Sequence, residues 1–156
     1  MSQVLVVFQA NTERTEQLAL AVGVGAVESE ASIRLRRLAM ADSVEVGHKG
    51  YGTLKEADLL WADTVVVGLE DERPETEELN ELLALLGTLK PETMKGKRAW
   101  TFGAEGDTPQ KSAAQRVVED ALVGAGITLP PLAILSAGDA TGRMKEAGQQ
   151  MGKKRV

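Results

Sequence analysis

Val4-Leu5-Val6-Val7-Phe8, then Gln9-Ala10-Asn11-Thr12-Glu13-Arg14-Thr15, then a helical pattern from Glu16 onward: these residues decide the fold. The apolar run does not alternate, as expected of a strand covered on both faces. A buried strand that enters a helix through a hydroxyl-rich turn is how α/β proteins build phosphate sites. The N–H groups that open such a helix lack intrahelical partners and carry partial positive charge, and threonine hydroxyls add donors. Glu13 places an anion in the same turn.

The rest of the chain repeats this strand-to-helix alternation. Ser32–Leu38 alternates apolar and polar residues and reads as a second, more exposed strand. Asp63–Gly68 and Lys97–Phe102 read as buried strands, and Ile127–Leu135, interrupted by Pro130-Pro131, as a fifth. Helices are predicted from Thr12 or its neighbours to about Val24, where Gly23 and Gly25 supply the stop, and from Gly52 or Thr53 to Asp58. Further helices are predicted over Glu75–Leu86, Thr108–Val123 and Gly142–Lys154. Ala39–Tyr51 and Gly87–Gly96 read as connections. Five strands alternating with about five helices imply a parallel sheet with helices on both faces. Ligands of such sheets bind beyond the C-terminal strand ends, where Gln9–Thr15, Leu69–Pro74 and Gly103–Asp107 would meet.

The 156 residues suit one domain, 1–156, with 43% hydrophobic and 26% charged residues. No apolar run reaches the roughly 20 residues that span a bilayer, so no membrane partner is expected. No signal peptide is read at the N-terminus, and a cytoplasmic location is the expectation. The absence of Cys excludes disulfides, thiolate metal sites and a Cys nucleophile. The net charge of −5 offers no electrostatic attraction for nucleic acid. Lys153-Lys154-Arg155 reads as cations favoured at a helix C-terminus. The one His, His48, lies in a polar Gly/Lys-rich stretch and cannot build a multi-His metal site. No metal site is expected.

Several segments, in order, resemble the flavodoxin-like superfamily. They are closest to the multimeric flavodoxin-like NAD(P)H:quinone oxidoreductases of the tryptophan-repressor-binding-protein type. Ile-Arg-Leu-Arg-Arg-Leu at 33–38 resembles their second strand, and Ala-Asp-Thr-Val-Val-Val-Gly at 62–68 their third. Lys-Gly-Lys-Arg-Ala-Trp-Thr-Phe at 95–102 resembles their fourth strand, and Ala-Gly-Gln-Gln-Met-Gly-Lys-Lys-Arg-Val at 147–156 their last helix. The resemblance implies a three-layer flavodoxin-like sandwich with a five-stranded parallel sheet of order 2-1-3-4-5. It implies FMN as cofactor, NAD(P)H with a quinone or a redox protein as partners, and a homo-oligomer. Carried onto this chain, it implies that Thr12, Arg14, Thr15, Gly68, Gly103 and Gly106 bind the cofactor and that no side chain is catalytic.

The family's binding turns are also where this chain departs from its pattern. The phosphate turn, roughly Ser-x-Thr-Gly-Asn-Thr in the family, here reads Ala10-Asn11-Thr12-Glu13-Arg14-Thr15. Loss of the Ser hydroxyl removes a hydrogen bond to a charged partner, about 1.5–3 kcal/mol. A carboxylate within 4 Å of a phosphate costs about 4 kcal/mol at an effective dielectric near 20. A guanidinium at Arg14 offsets part of that cost. In the second turn, Gly68-Leu69-Glu70-Asp71-Glu72-Arg73-Pro74, only Gly68 matches; in the third, Gly103 and Gly106 do. Glu70, Asp71, Glu72, Glu75, Glu77 and Glu78 surround a helix N-terminus, where acids complement the dipole. Trp61 and Trp100 occupy positions that pack in cores. The alternative to an FMN-dependent redox protein is a flavodoxin-like module without FMN, acting by protein contact or on another small ligand. A receiver-type phosphoacceptor domain would need acidic residues directly after strand one, and the turn after Phe8 has no Asp.

Overall fold

The computed structural model describes residues 2–9, 13–38, 52–70, 72–73, 75–104, 106, 111–130 and 139–153. Within them, strands β1 (Gln3–Gln9), β2 (Ser32–Leu38), β3 (Gly52–Thr53), β4 (Thr64–Gly68) and β5 (Arg98–Phe102) form one sheet of order β3-β2-β1-β4-β5. Every pairing is parallel. Side chains alternate across β1 and β4 and divide the core in two. Leu5, Val7, Val65 and Val67 face one side, where α2 (Glu56–Trp61), α3 (Glu77–Gly87), α4 (Pro91–Met94) and α5 (Ala113–Gly124) contribute Leu59, Leu79, Met94 and Leu122. Val4, Val6, Phe8 and Val66 face the other, against α1 (Glu13–Glu28) and α6 (Ala140–Gly152). This is the three-layer α/β sandwich expected, with four of the five predicted strands in the expected order.

Of the predicted fifth strand, Ile127–Leu135, the described residues 127–130 contribute one parallel bridge, Thr128 opposite Arg98, and residues 131–138 lie outside the described residues. Pro130 has no N–H to donate to a ladder. The remaining described strand is the two-residue β3 on the opposite edge, pairing with Arg36 and Arg37. It takes residues expected to start a helix. That helix, α2, begins at Glu56, where the Asp58 carboxylate accepts from the Lys55 backbone N–H at 3.0 Å. The Asp58 carboxylate also pairs with Arg34 and Arg36 at 3.1 Å each, and the Arg34 guanidinium lies 4.3 Å above the Trp61 ring. Trp61 and Trp100 both pack against the core, as expected of their positions.

Helix α1 is longer than predicted because its glycines are contacts and not stops. A Cβ on Gly25 would lie 1.9 Å from the Lys145 carbonyl oxygen, and one on Gly148 would lie 1.9 Å from the Val22 carbonyl oxygen. The backbones of α1 and α6 therefore touch, and only hydrogen fits between them. The helix ends instead at Glu28, just before Glu30 takes the left-handed conformation at φ 66 and the Ala31 N–H returns to the Ala26 carbonyl at 3.0 Å. Pro91 opens the short α4 inside the stretch expected to be a loop.

Candidate functional site

The C-terminal ends of β1, β4 and β5 bring three turns together, and side chains lace them. Gln9, the last residue of β1, is 1% exposed. Its Oε1 accepts from the Glu70 backbone N–H at 2.6 Å, and its Nε2 donates to Glu78 Oε2 at 3.2 Å. Thr15, in the first turn of α1, is also 1% exposed, and its hydroxyl donates to Glu70 Oε1 at 3.3 Å. Arg14 Nε donates to the Ala104 carbonyl at 3.0 Å. The first turn is thus tied to the second through Glu70, to the start of α3 through Glu78, and to the third through Ala104.

Across the sheet, Phe8, Gly68 and Phe102 stand in one row. A Cβ on Gly68 would lie 2.4 Å from Phe102 Cζ. Gly68 is therefore glycine because the buried Phe102 ring covers it. In the third turn, Gly103 and Gly106 exchange backbone hydrogen bonds of 3.0 and 2.9 Å. Gly106 has φ +91, a conformation that side chains rarely adopt. Below this turn, Thr101 donates to Glu119 at 2.6 Å, and Gln115 Nε2 donates to the Thr101 hydroxyl at 3.3 Å. Glu119 also pairs with Lys111 at 2.9 Å, so the start of α5 is fastened to the end of β5.

Five of the six residues carried over from the family's pattern are described, and the fold gathers them at one end of the sheet. Arg14 and Thr15 lie at the start of α1, Gly68 at the end of β4, and Gly103 and Gly106 just after β5. Thr12 lies outside the described residues, as do His48 and Asp71. The anion expected to interfere was Glu13. It is exposed, and the carboxylate that reaches Thr15 is Glu70, from the second turn. The sequence places Glu70 among the acids that complement the dipole of the following helix, yet its backbone N–H bonds Gln9 and its carboxylate bonds Thr15; that helix, α3, is capped by Thr76, whose hydroxyl accepts from the Leu79 N–H at 3.1 Å. Glu77 and Glu78 do lie in the first turn of α3. The sequence reading missed Gln9; its signal was a long polar side chain at the end of an otherwise apolar strand.

The donor chemistry at the start of α1 fits an oxyanion. Thr15 already holds one, the Glu70 carboxylate, at the opening of a 16-residue helix with the Arg14 guanidinium on the adjacent residue. Among the described residues no group of three His, Asp or Glu side chains is placed to hold a metal ion. No helix among them is long and apolar enough to cross a membrane.

No family model and no curated protein matches the chain. Solved structures do. A short-chain flavodoxin associated with a bacterial microcompartment superimposes with a TM-score of 0.67 at 17% identity, covering 97% of each chain. Oxidised flavodoxin 2 from Bacillus cereus gives 0.67 at 18% identity over 94% of this chain and 95% of its own. A diflavin flavoprotein A3 from Nostoc sp. gives 0.64 at 14% identity over 97% and 91%. With a parallel sheet, helices on both faces and this coverage, the chain has the flavodoxin-like fold.

Proposed function

We propose that this chain is an FMN-dependent redox protein of flavodoxin type. The observation that carries the reading is the Thr15 hydroxyl, which holds an oxyanion at the N-terminus of α1. A phosphate monoester asks for that same chemistry. The match in length and fold to flavodoxins supports it.

In this role Thr12, Thr15 and the N–H groups opening α1 hold the phosphate, and Arg14 adds a planar cation beside it. Gly68, Gly103 and Gly106 let the ends of β4 and β5 pack closely on Phe102, Gln115 and Met144, and so shape the turns against which a planar ring would lie. The bound flavin supplies the electron and hydride chemistry itself. No side chain of this chain is asked to transfer a proton. As the family resemblance implies, the finer reading is an NAD(P)H:quinone oxidoreductase or an electron carrier, with NAD(P)H and a quinone or redox protein as partners and a homo-oligomer as the assembly.

A second reading is favoured by one specific observation. Gln9, Glu70 and Glu78 lace the first two turns together with hydrogen bonds of 2.6–3.2 Å. A module that has given up FMN would close its turns in this way and act by protein contact or on another small ligand. Visible absorption of the purified protein and quenching of added FMN fluorescence separate the two. A flavin band, or saturable quenching, supports the redox reading. A colourless protein that leaves FMN fluorescence unchanged supports the second.

A further inference from the structure

We infer that Glu70 is an internal competitor for the anion seat at the start of α1, and that its charge sets how tightly a phosphorylated ligand is held. The inference rests on the FMN-type reading of that seat. It follows from where Glu70 is anchored and where its carboxylate points. The backbone N–H of Glu70 is held by the buried Gln9 amide at 2.6 Å, which fixes the start of the second turn against the end of β1. From that anchor the side chain reaches back across the crevice to the Thr15 hydroxyl at 3.3 Å. Gln9 is held in turn at its other end by Glu78, so the anchor does not depend on the Glu70 side chain.

Thr15 has one hydroxyl proton to donate. A phosphate that takes it displaces the Glu70 carboxylate, and the two anions then sit within a few ångströms of each other. At an effective dielectric near 20, two like charges about 4 Å apart repel by about 4 kcal/mol, so the site carries a built-in penalty for an anionic ligand. A ligand without a phosphate meets no such penalty at that point. Glu70 thereby acts as a specificity-determining residue: its charge lowers the affinity for a phosphorylated ligand and leaves the affinity for its unphosphorylated counterpart unchanged.

The test compares FMN with riboflavin, which has the ring and lacks the phosphate, on the full-length chain. Fluorescence titrations are made with the wild type, Glu70→Gln and Glu70→Ala, and melting curves check that each variant is folded. Gln keeps a carbonyl to accept from Thr15 and removes only the charge. The expected result is FMN affinity raised by about tenfold or more in both variants, with riboflavin affinity changed less than about twofold. Equal FMN affinity in all three proteins overturns the inference and leaves the FMN reading standing. Tightening in Glu70→Ala alone also overturns it, since bulk and not charge would be the bar. Equal gains for FMN and riboflavin overturn it by removing the phosphate from the effect. Absence of FMN binding in all three proteins overturns the inference and the FMN reading together.

Discussion

The two ends of α1 are held by different chemistry. Along its second half, Gly25 and Ala26 meet α6 backbone to backbone: the Gly25 site lies against Lys145, and a Cβ on Gly152 would lie 2.9 Å from the Ala26 carbonyl oxygen. At its first turn, Thr15 bonds a side-chain carboxylate and Arg14 bonds a backbone carbonyl. The first arrangement has no substitute partner, because only hydrogen fits between two helix backbones that touch. The second can be exchanged, because a ligand oxyanion can replace a carboxylate on a hydroxyl. The comparison teaches that the rigid half fixes where the helix N-terminus points, while the contacts at that N-terminus are of a kind that can be exchanged.

The largest effect expected from breaking this contrast is at Gly25. Gly25→Val drives a branched side chain into the Lys145 carbonyl, and overpacking of this kind costs about 3 kcal/mol. In a domain of this size that lowers the melting temperature by about 6–12 °C. Thermal unfolding measures it, and an unchanged melting point would mean the two backbones are not in contact. At the helix's true end the contrast sharpens with a gain. Glu30 holds φ 66, a conformation that glycine takes without strain, so Glu30→Gly should raise stability by about 0.5–1 kcal/mol in denaturant titration. The smallest effect is at Glu28, which Lys145 and Gln149 hold at 3.1 and 2.8 Å. These hydrogen bonds, first Gln149 and then Lys145, pull its carboxyl below the ordinary 4.5. A carboxyl lowered in the folded state stabilises at pH values above its unfolded value, and that contribution is lost as the pH falls through the folded value. The small stability difference between the wild type and Glu28→Gln should therefore be present at neutral pH and vanish in acid. A difference that persists in acid would assign the effect to packing.

Most of the architecture was legible because it is written in neighbouring residues. The unbroken apolar run at Val4–Phe8 and the run Val65–Val67 carry strand identity in a few adjacent side chains, and both strands are buried as their composition demands. Leu79, Leu82 and Leu86 do the same for α3 through their spacing. The site was legible only as a location. Arg14, Thr15, Gly68, Gly103 and Gly106 fall at one end of the sheet because parallel topology puts strand ends together. Their partners were not legible. Thr15 meets Glu70, 55 positions away, and nothing local in Leu69–Glu70 distinguishes a carboxylate that caps its own helix from one that crosses to another turn.

The glycines mark the same boundary. By itself the sequence determined that strands and helices alternate, since run length and periodicity are local properties that hydrophobic burial reads directly. Only the tertiary structure decided that Gly23 and Gly25 lie inside α1, that Phe102 fills the space over Gly68, and that Glu70 faces Thr15. Each of these depends on what a distant element places within a few ångströms, and steric exclusion and charge act through space, where sequence separation carries no information.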